Sequence, residues 1–153
     1  MQVFRLIRKR YAGEPLSGRG AANFGARWNS VGVEIIYTAA NRSLAMAEVA
    51  VHLSVGMMPD DYLMATVDVS DDISRDKIEA RNLPPDWSVF PYIAATQKIG
   101  DQFVAASQHC VLQVPSVVTL GDHNYLLNPK HPEFRRVTIV SLDEFEFDKR
   151  FVK

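Results

Sequence analysis

The pattern of apolar and polar positions divides the chain into short runs separated by turn-forming residues. Residues 2–8 (QVFRLIR) have the Val- and Phe-containing look of a strand, and 34–38 (EIIYT) more strongly so, because β-branched and aromatic side chains dominate there. From 62 to 69 (YLMATVDV), Ala65, Val67 and Val69 alternate with Thr66 and Asp68, the signature of a half-buried strand. Further strands are expected at 110–114 (CVLQV), 116–120 (SVVTL) and 136–142 (RVTIVSL), with Pro115 confining the first junction to a bend or a sheet edge. Asn41 or Ser43 can cap a helix running to about Val55, where Gly56 and then Pro59 supply the stop. Residues 73–81 read as a short polar helix. Residues 92–107 read as a helix that Gly100 and Asp101 can split, Asp101 capping its second half. The prolines of LPPDW at 83–87 and the turn residues of NYLLNPKHP at 124–132 mark loops. Strands predominate at both ends, without a regular βαβα alternation. The expected fold class is therefore α+β, and no repeat or linker-like shift divides 1–153 into more than one domain.

The helix expected at 41–55 is apolar nearly all round, which predicts deep burial, yet it contains Glu48. A carboxylate in such a run must be paired, neutralised or used. It is either a structural acid satisfied by an arginine or by backbone donors, or a group projected into a cleft. His52, four residues on, shares its helical face and raises a metal-site reading, which lacks third and fourth ligands at plausible spacing.

Composition narrows the classes. Hydrophobic residues make up 47% and charged residues 23% of 153, enough to bury a core, while 17 basic against 18 acidic residues leave a net charge of -1 and no basic block. Nucleic acid is thus a poor partner on electrostatic grounds. The lone Cys110 cannot form an internal disulfide, which fits a reducing cytoplasm, and MQVFRLIRKRY lacks the apolar core of an export signal. No apolar run approaches the ~18 residues of a membrane span, so no membrane partner is expected.

Arg5, Arg19 and Arg27 crowd the N-terminal segment beside Gly18, Gly20, Gly25 and Gly32. Glycines let backbone approach a ligand and guanidinium grips phosphate in a fork, so loop plus arginine is a candidate pyrophosphate site, or else a mobile loop with solvated arginines. It matches neither a Walker loop nor GxGxxG. Tyr37, at a strand end beside that loop and the acid, can be half-buried core or a stacking wall for a flat ring such as nicotinamide. Ser116 after Pro115 suits backbone satisfaction, and without GxSxG a covalent nucleophile is a poor reading. Asn124 and Asn128 fix loops or donate to a ligand.

Taken together, FRL at 4–6, SGRGA at 17–21, GARWNSVG at 25–32, IYTA at 36–39, AMAEVAVHL at 45–53, LPPDW at 83–87, VPS at 114–116 and NYLLNPKHP at 124–132 resemble the RES-domain family, in order along the chain and ending with FEFDKRF at 145–151. These are the toxins of Xre/RES toxin–antitoxin modules, named for an Arg, a Glu and a Ser. Those letters map onto Arg27, Glu48 and Ser116, with Arg5 and Tyr37 on positions where family members carry Arg and Tyr. GAR at 25–27 replaces the GGR of many relatives. The resemblance implies an ADP-ribosyltransferase-like mixed β core of the diphtheria-toxin type and an activity on NAD+, either glycohydrolysis or transfer of ADP-ribose to a protein. Glu48 would then serve the ribose, Arg27 and Arg5 the pyrophosphate, Tyr37 the nicotinamide, Ser116 polar positioning, and Asn124 substrate binding. No metal or separate cofactor is implied beyond NAD+ as substrate. An Xre-like antitoxin is the implied partner, around a toxin homodimer in the cytoplasm, with the antitoxin as the DNA-binding component. A domain kept only to hold a protein partner, its pocket inactive, is the alternative from another class.

Overall fold

Residues 1–54 and 56–151 are described by the computed structural model. Seven strands, β1 (Gln2–Arg8), β2 (Ile36–Ala39), β3 (Tyr62–Asp68), β4 (Arg75–Lys77), β5 (Val111–Pro115), β6 (His123–Leu127) and β7 (Thr138–Phe145), form one sheet in the order β4-β5-β6-β2-β1-β3-β7. All neighbours are antiparallel except β4 and β5. Among the described residues three α-helices accompany it: α1 (Arg19–Phe24), α2 (Arg42–Ala50) and α3 (Ala94–Ala106). This is a mixed α+β architecture, as the strand-rich ends predict.

Register assigns side chains to the two faces. Leu112, Leu126 and Tyr37 are cross-strand neighbours, as are Val114, Asn124 and Ala39, and Ala39 in turn faces Phe4. Period-two alternation therefore puts all of them on one face. There α3 supplies Ile99, Phe103 and Val104 against Leu112, Val114 and Leu126, while Leu44 and Ala45 of α2 pack with Phe4, Leu6, Tyr62 and Met64. The opposite face carries Val3, Ile36, Ala65, Val67, Val111 and Leu127, joined by the buried thiol of Cys110. Burial pushes that thiol up to about 11.

The sheet is not evenly joined. β1 pairs with β3 along seven residues but meets β2 at the single pair Phe4 and Ala39. Beyond that point β1 and β2 leave a split, bordered by Arg5 and Leu6 on one side and by Tyr37 and Thr38 on the other.

Several expectations are corrected. The segment 73–81 is not a helix: it holds β4, three charged residues on the sheet edge, followed by a 3-10 turn at Ala80–Asn82. Residues 116–120 are a turn and not a strand, because Ser116 Oγ accepts the backbone N–H groups of Val118 and Thr119 at 3.1 Å and the chain reverses into β6. β6 takes up the first four residues of the stretch 124–132 that its Asn and Pro residues mark as loop, which is therefore strand to Leu127. β3 is covered on both faces and only Asp68 is partly open. Asn41 caps α2 by accepting the Leu44 N–H at 2.8 Å, but the helix ends at Ala50, and Val55, the expected end, lies outside the described residues. Nor is α2 deeply buried, since Leu44 and Ala45 alone are buried and Val51 just beyond it is 58% exposed. Its apolar run borders a cavity instead of filling a core. Finally, α3 runs unbroken through Gly100 and Asp101.

Candidate functional site

A cavity of about 630 Å³ opens at the split between β1 and β2, and its walls include Arg5, Arg27, Tyr37, Glu48 and Asn124. Period two explains much of the convergence. Tyr37, Asn124 and, through Pro115, the start of the turn at Ser116 lie on the sheet face that α2 crosses, and one turn of α2 beyond Leu44 and Ala45 brings Glu48 over the same place. Arg5 emerges from the other face of β1 by alternation, and the split lets it line the same cavity.

Glu48 is held by neutral donors. Ser116 Oγ donates to its Oε1 at 2.8 Å and Asn124 Nδ2 donates to the same oxygen at 2.6 Å, while the serine oxygen itself accepts two backbone amides. The acid is thus anchored through one oxygen to the turn that joins β5 to β6. Among the described residues no arginine forms an ion pair with it. His52 is exposed at the rim, and no group of three or more His, Cys, Asp or Glu side chains gathers as a metal ion would need among the described residues.

The two cavity arginines differ. Arg5 Nη2 donates to the carbonyl of Ser17 at 3.1 Å, but its Nη1 is buried without a hydrogen-bond partner among the described residues. Desolvation holds its guanidinium down at about 10. A buried guanidinium with a donor to spare is chemically suited to an anion. Arg27 Nη1 donates to the carbonyls of Trp87 at 2.7 Å and Val89 at 3.0 Å, and its guanidinium lies 5.2 Å from the Tyr92 ring centroid. Burial lowers its pKa as well. Arg19, grouped with these two in the sequence, is paired with Glu14 on the surface and does not line the cavity.

Tyr37 is fixed at its hydroxyl, which donates to Asn29 Oδ1 at 2.7 Å and accepts the Trp28 N–H at 3.2 Å. Burial is the main cause pushing its pKa up, so it remains a neutral phenol. Its ring is left to face the cavity.

Sequence reasoning missed the residues that set the Arg27 loop. Asn29 is fully buried, and its amide donates to the carbonyls of Ala21, Ser30 and Val33. Asp101 on α3 accepts both the N–H and the hydroxyl of Ser30, at 2.9 and 2.5 Å, and Gln97 reaches the carbonyls of Ala26 and Asn29. Gly100 sits where a Cβ would fall 1.5 Å from the carbonyl oxygen of Trp28, so the loop backbone packs directly on the helix. Gly25, which opens the loop at φ +70, occupies the left-handed region that other residues avoid. A helix glycine followed by an acid was the available signal, since such a pair suits close backbone approach as well as a helix break.

A sequence model of the RES domain matches residues 2–149. The chain is 33% identical over 145 residues to a protein named Prs ADP-ribosylating toxin from Sphingobium sp. (strain YBL2), covering 94% of this chain and 90% of the relative. It is 31% identical over 154 residues to Toxin Res of Photorhabdus laumondii subsp. laumondii, covering 100% and 98%. Among solved structures, a chain from the crystal structure of the M. tuberculosis MbcT-MbcA toxin-antitoxin complex superposes with a TM-score of 0.78 at 19% identity, over 94% of this chain and 83% of that one. The fold is therefore shared with that chain.

Proposed function

The chain belongs to the RES-domain family, and from this premise we propose that it is the toxin of a toxin–antitoxin module, acting as one domain that consumes NAD+ by cleaving the bond between nicotinamide and ribose. The observation that carries the reading is the pairing, in one cavity, of a carboxylate tethered at one oxygen with a buried arginine that has a donor to spare. Departure of neutral nicotinamide leaves positive charge on the ribose, an oxocarbenium-like state that a fixed carboxylate stabilises. Ser116 and Asn124 hold Glu48 through Oε1, leaving Oε2 for the ribose hydroxyls and the developing charge. Arg5 and Arg27 take the pyrophosphate, and the Tyr37 ring takes the nicotinamide. Water then attacks the anomeric carbon and loses a proton, giving ADP-ribose. Ser116 positions and does not attack, since both lone pairs of its hydroxyl oxygen accept backbone N–H groups of the turn.

Transfer of ADP-ribose to a protein uses the same carbon with a different nucleophile, and the name of the Sphingobium relative favours that second reading. No cofactor is assigned beyond NAD+ itself as substrate. The partner is an antitoxin, of the Xre-like kind, bound to a toxin homodimer that meets NAD+ in the cytoplasm. No helix among the described residues is long and apolar enough to cross a membrane.

The test is incubation of purified protein with NAD+ labelled in the adenosine half, following nicotinamide release and the fate of the label. Free ADP-ribose supports hydrolysis, and label on a polypeptide supports transfer. Neither product at high enzyme concentration, with cellular NAD+ intact on expression, overturns both. Glu48→Gln is expected to fold and to lose toxicity, whereas full toxicity in that variant removes the role given to Glu48.

A further inference from the structure

Phe90 has no place in the mechanism above, yet it lines the cavity and is 74% exposed. With Tyr92 in the same cavity wall, Phe90 offers a flat ligand an aromatic face. Its ring stands edge-on to Tyr92, centroids 5.4 Å apart at 89°, and Tyr92 in turn lies under the Arg27 guanidinium. Arg27 also sets the segment's shape, by donating to the carbonyls of Trp87 and Val89 just before Phe90. The aromatic pair is therefore positioned by the arginine that faces the pyrophosphate.

Depth orders the rest. Glu48 and Tyr37 are tethered and half-buried whereas Phe90 is exposed, so a substrate whose nicotinamide end meets Glu48 and Tyr37 and whose pyrophosphate meets Arg27 has its second ring directed toward the more open, Phe90 side of the cavity. From this order, and on the reading that NAD+ is the substrate, we infer that Phe90, backed by Tyr92, is the platform on which the adenine stacks, which makes the segment around residues 88–92 the part that selects a dinucleotide over a mononucleotide. Base stacking on an aromatic needs no hydrogen-bond readout, which suits an open rim where water competes for polar contacts.

The experiment measures NAD+ cleavage by the wild type, Phe90→Ala and Phe90→Trp, with AMP and nicotinamide mononucleotide as competing inhibitors. Stacking of one base predicts that Phe90→Ala raises KM for NAD+ about tenfold and weakens AMP inhibition by the same factor. The inhibition constant of nicotinamide mononucleotide, which lacks the adenosine, and kcat both stay within about twofold, and Phe90→Trp recovers the KM. An unchanged KM in Phe90→Ala overturns the inference, as does an equal loss for nicotinamide mononucleotide. Because the side chain is exposed, truncation removes no core packing, and retained kcat in the same assay confirms the fold. Failure of the wild type to cleave NAD+ at all instead removes the underlying substrate reading, and the platform with it.

Discussion

At the scale of single residues the site depends on Oε1 of Glu48. Two donors converge on that atom, and one of them, Ser116, is also the acceptor for two backbone amides, so its hydroxyl couples the acid to the turn after β5. Ser116→Ala removes a hydrogen bond to a charged group and strands two N–H groups, a loss of about 1–3 kcal/mol in unfolding free energy. The same change lets Glu48 rotate, and kcat is expected to fall about 100-fold, in the range that a misplaced charge-stabilising group costs. Urea unfolding and steady-state kinetics check the two effects separately. Arg5 presents the opposite trade. Burial holds its pKa at about 10, below the ordinary arginine value, so the folded chain binds fewer protons than the unfolded one above that pH. As far as Arg5 is concerned, stability rises with pH beyond about 10, while the charge proposed to bind phosphate is lost there. KM for NAD+ is accordingly expected to be flat to about pH 9 and to climb above 10, as read from a pH series of initial rates. Arg5→Met should leave the melting temperature equal or higher and raise KM by at least about tenfold, because a buried unpaired cation favours binding and not folding.

At the scale of elements, α3 acts as the clamp of the Arg27 loop. Gly100→Ala places a methyl group 1.5 Å from the Trp28 carbonyl oxygen, so loop and helix must part. Overpacking of this severity costs about 3 kcal/mol or more and is expected to raise KM along with it, since Arg27 moves with its neighbour Trp28. Asp101→Ala leaves the Ser30 N–H without its acceptor and should cost about 1–3 kcal/mol with a smaller rise in KM. Denaturation midpoints set against KM for the pair show whether the clamp acts on the site through the loop. The clamp was written in the sequence as a glycine and an aspartate, residues that equally suit a broken helix, and only the tertiary contact decides. β6 was hidden in the same manner. Tyr125, Leu126 and Leu127 are strand-like, but Asn124 before them is given over to Glu48, and Asn128 and Pro129 end the strand at once. Residues 116–120 show the converse, since Val117, Val118 and Thr119 have the β-branched composition of a strand while the Ser116 side chain accepts the amides of Val118 and Thr119 and holds a turn. β1, β2, β3, β5 and β7 are legible to within a few residues, whereas β4, a charged edge strand, and β6, set among turn-forming residues, are not.

At the scale of the whole molecule, the informative property is the split between β1 and β2. On one side lie β1, β3 and β7 with Arg5; on the other lie β2, β6, β5 and β4 with Tyr37 and Asn124, and α2 carries Glu48 across. No local pattern could reveal this, because it is the absence of pairing between two strands that each look ordinary. It also explains why the apolar run of α2 misleads: alternation and period report that a face is shielded from water, without distinguishing a protein core from a cavity wall. Arg5 is the residue for which the split matters most, since strand alternation assigns it to the far face and the gap returns it to the site. A ligand that fills the cavity and engages Arg5 ties the two halves of the sheet where the strand ladder does not. ADP-ribose, which retains the pyrophosphate, should therefore stabilise the protein by the linkage amount, about 2.7 kcal/mol at a hundredfold excess over its Kd, or about 5–10 °C in melting temperature for a chain of this size. Hydrogen exchange should slow at the same time along the split edges of β1 and β2 and little in β3, which is already paired on both sides. In Arg5→Met, with Kd raised about tenfold, the stabilisation should fall to about 1.4 kcal/mol at that ligand concentration and the added protection should shrink with it, while the unliganded melting temperature holds. A melting shift without added protection at β1 would mean that the ligand binds one half of the sheet alone.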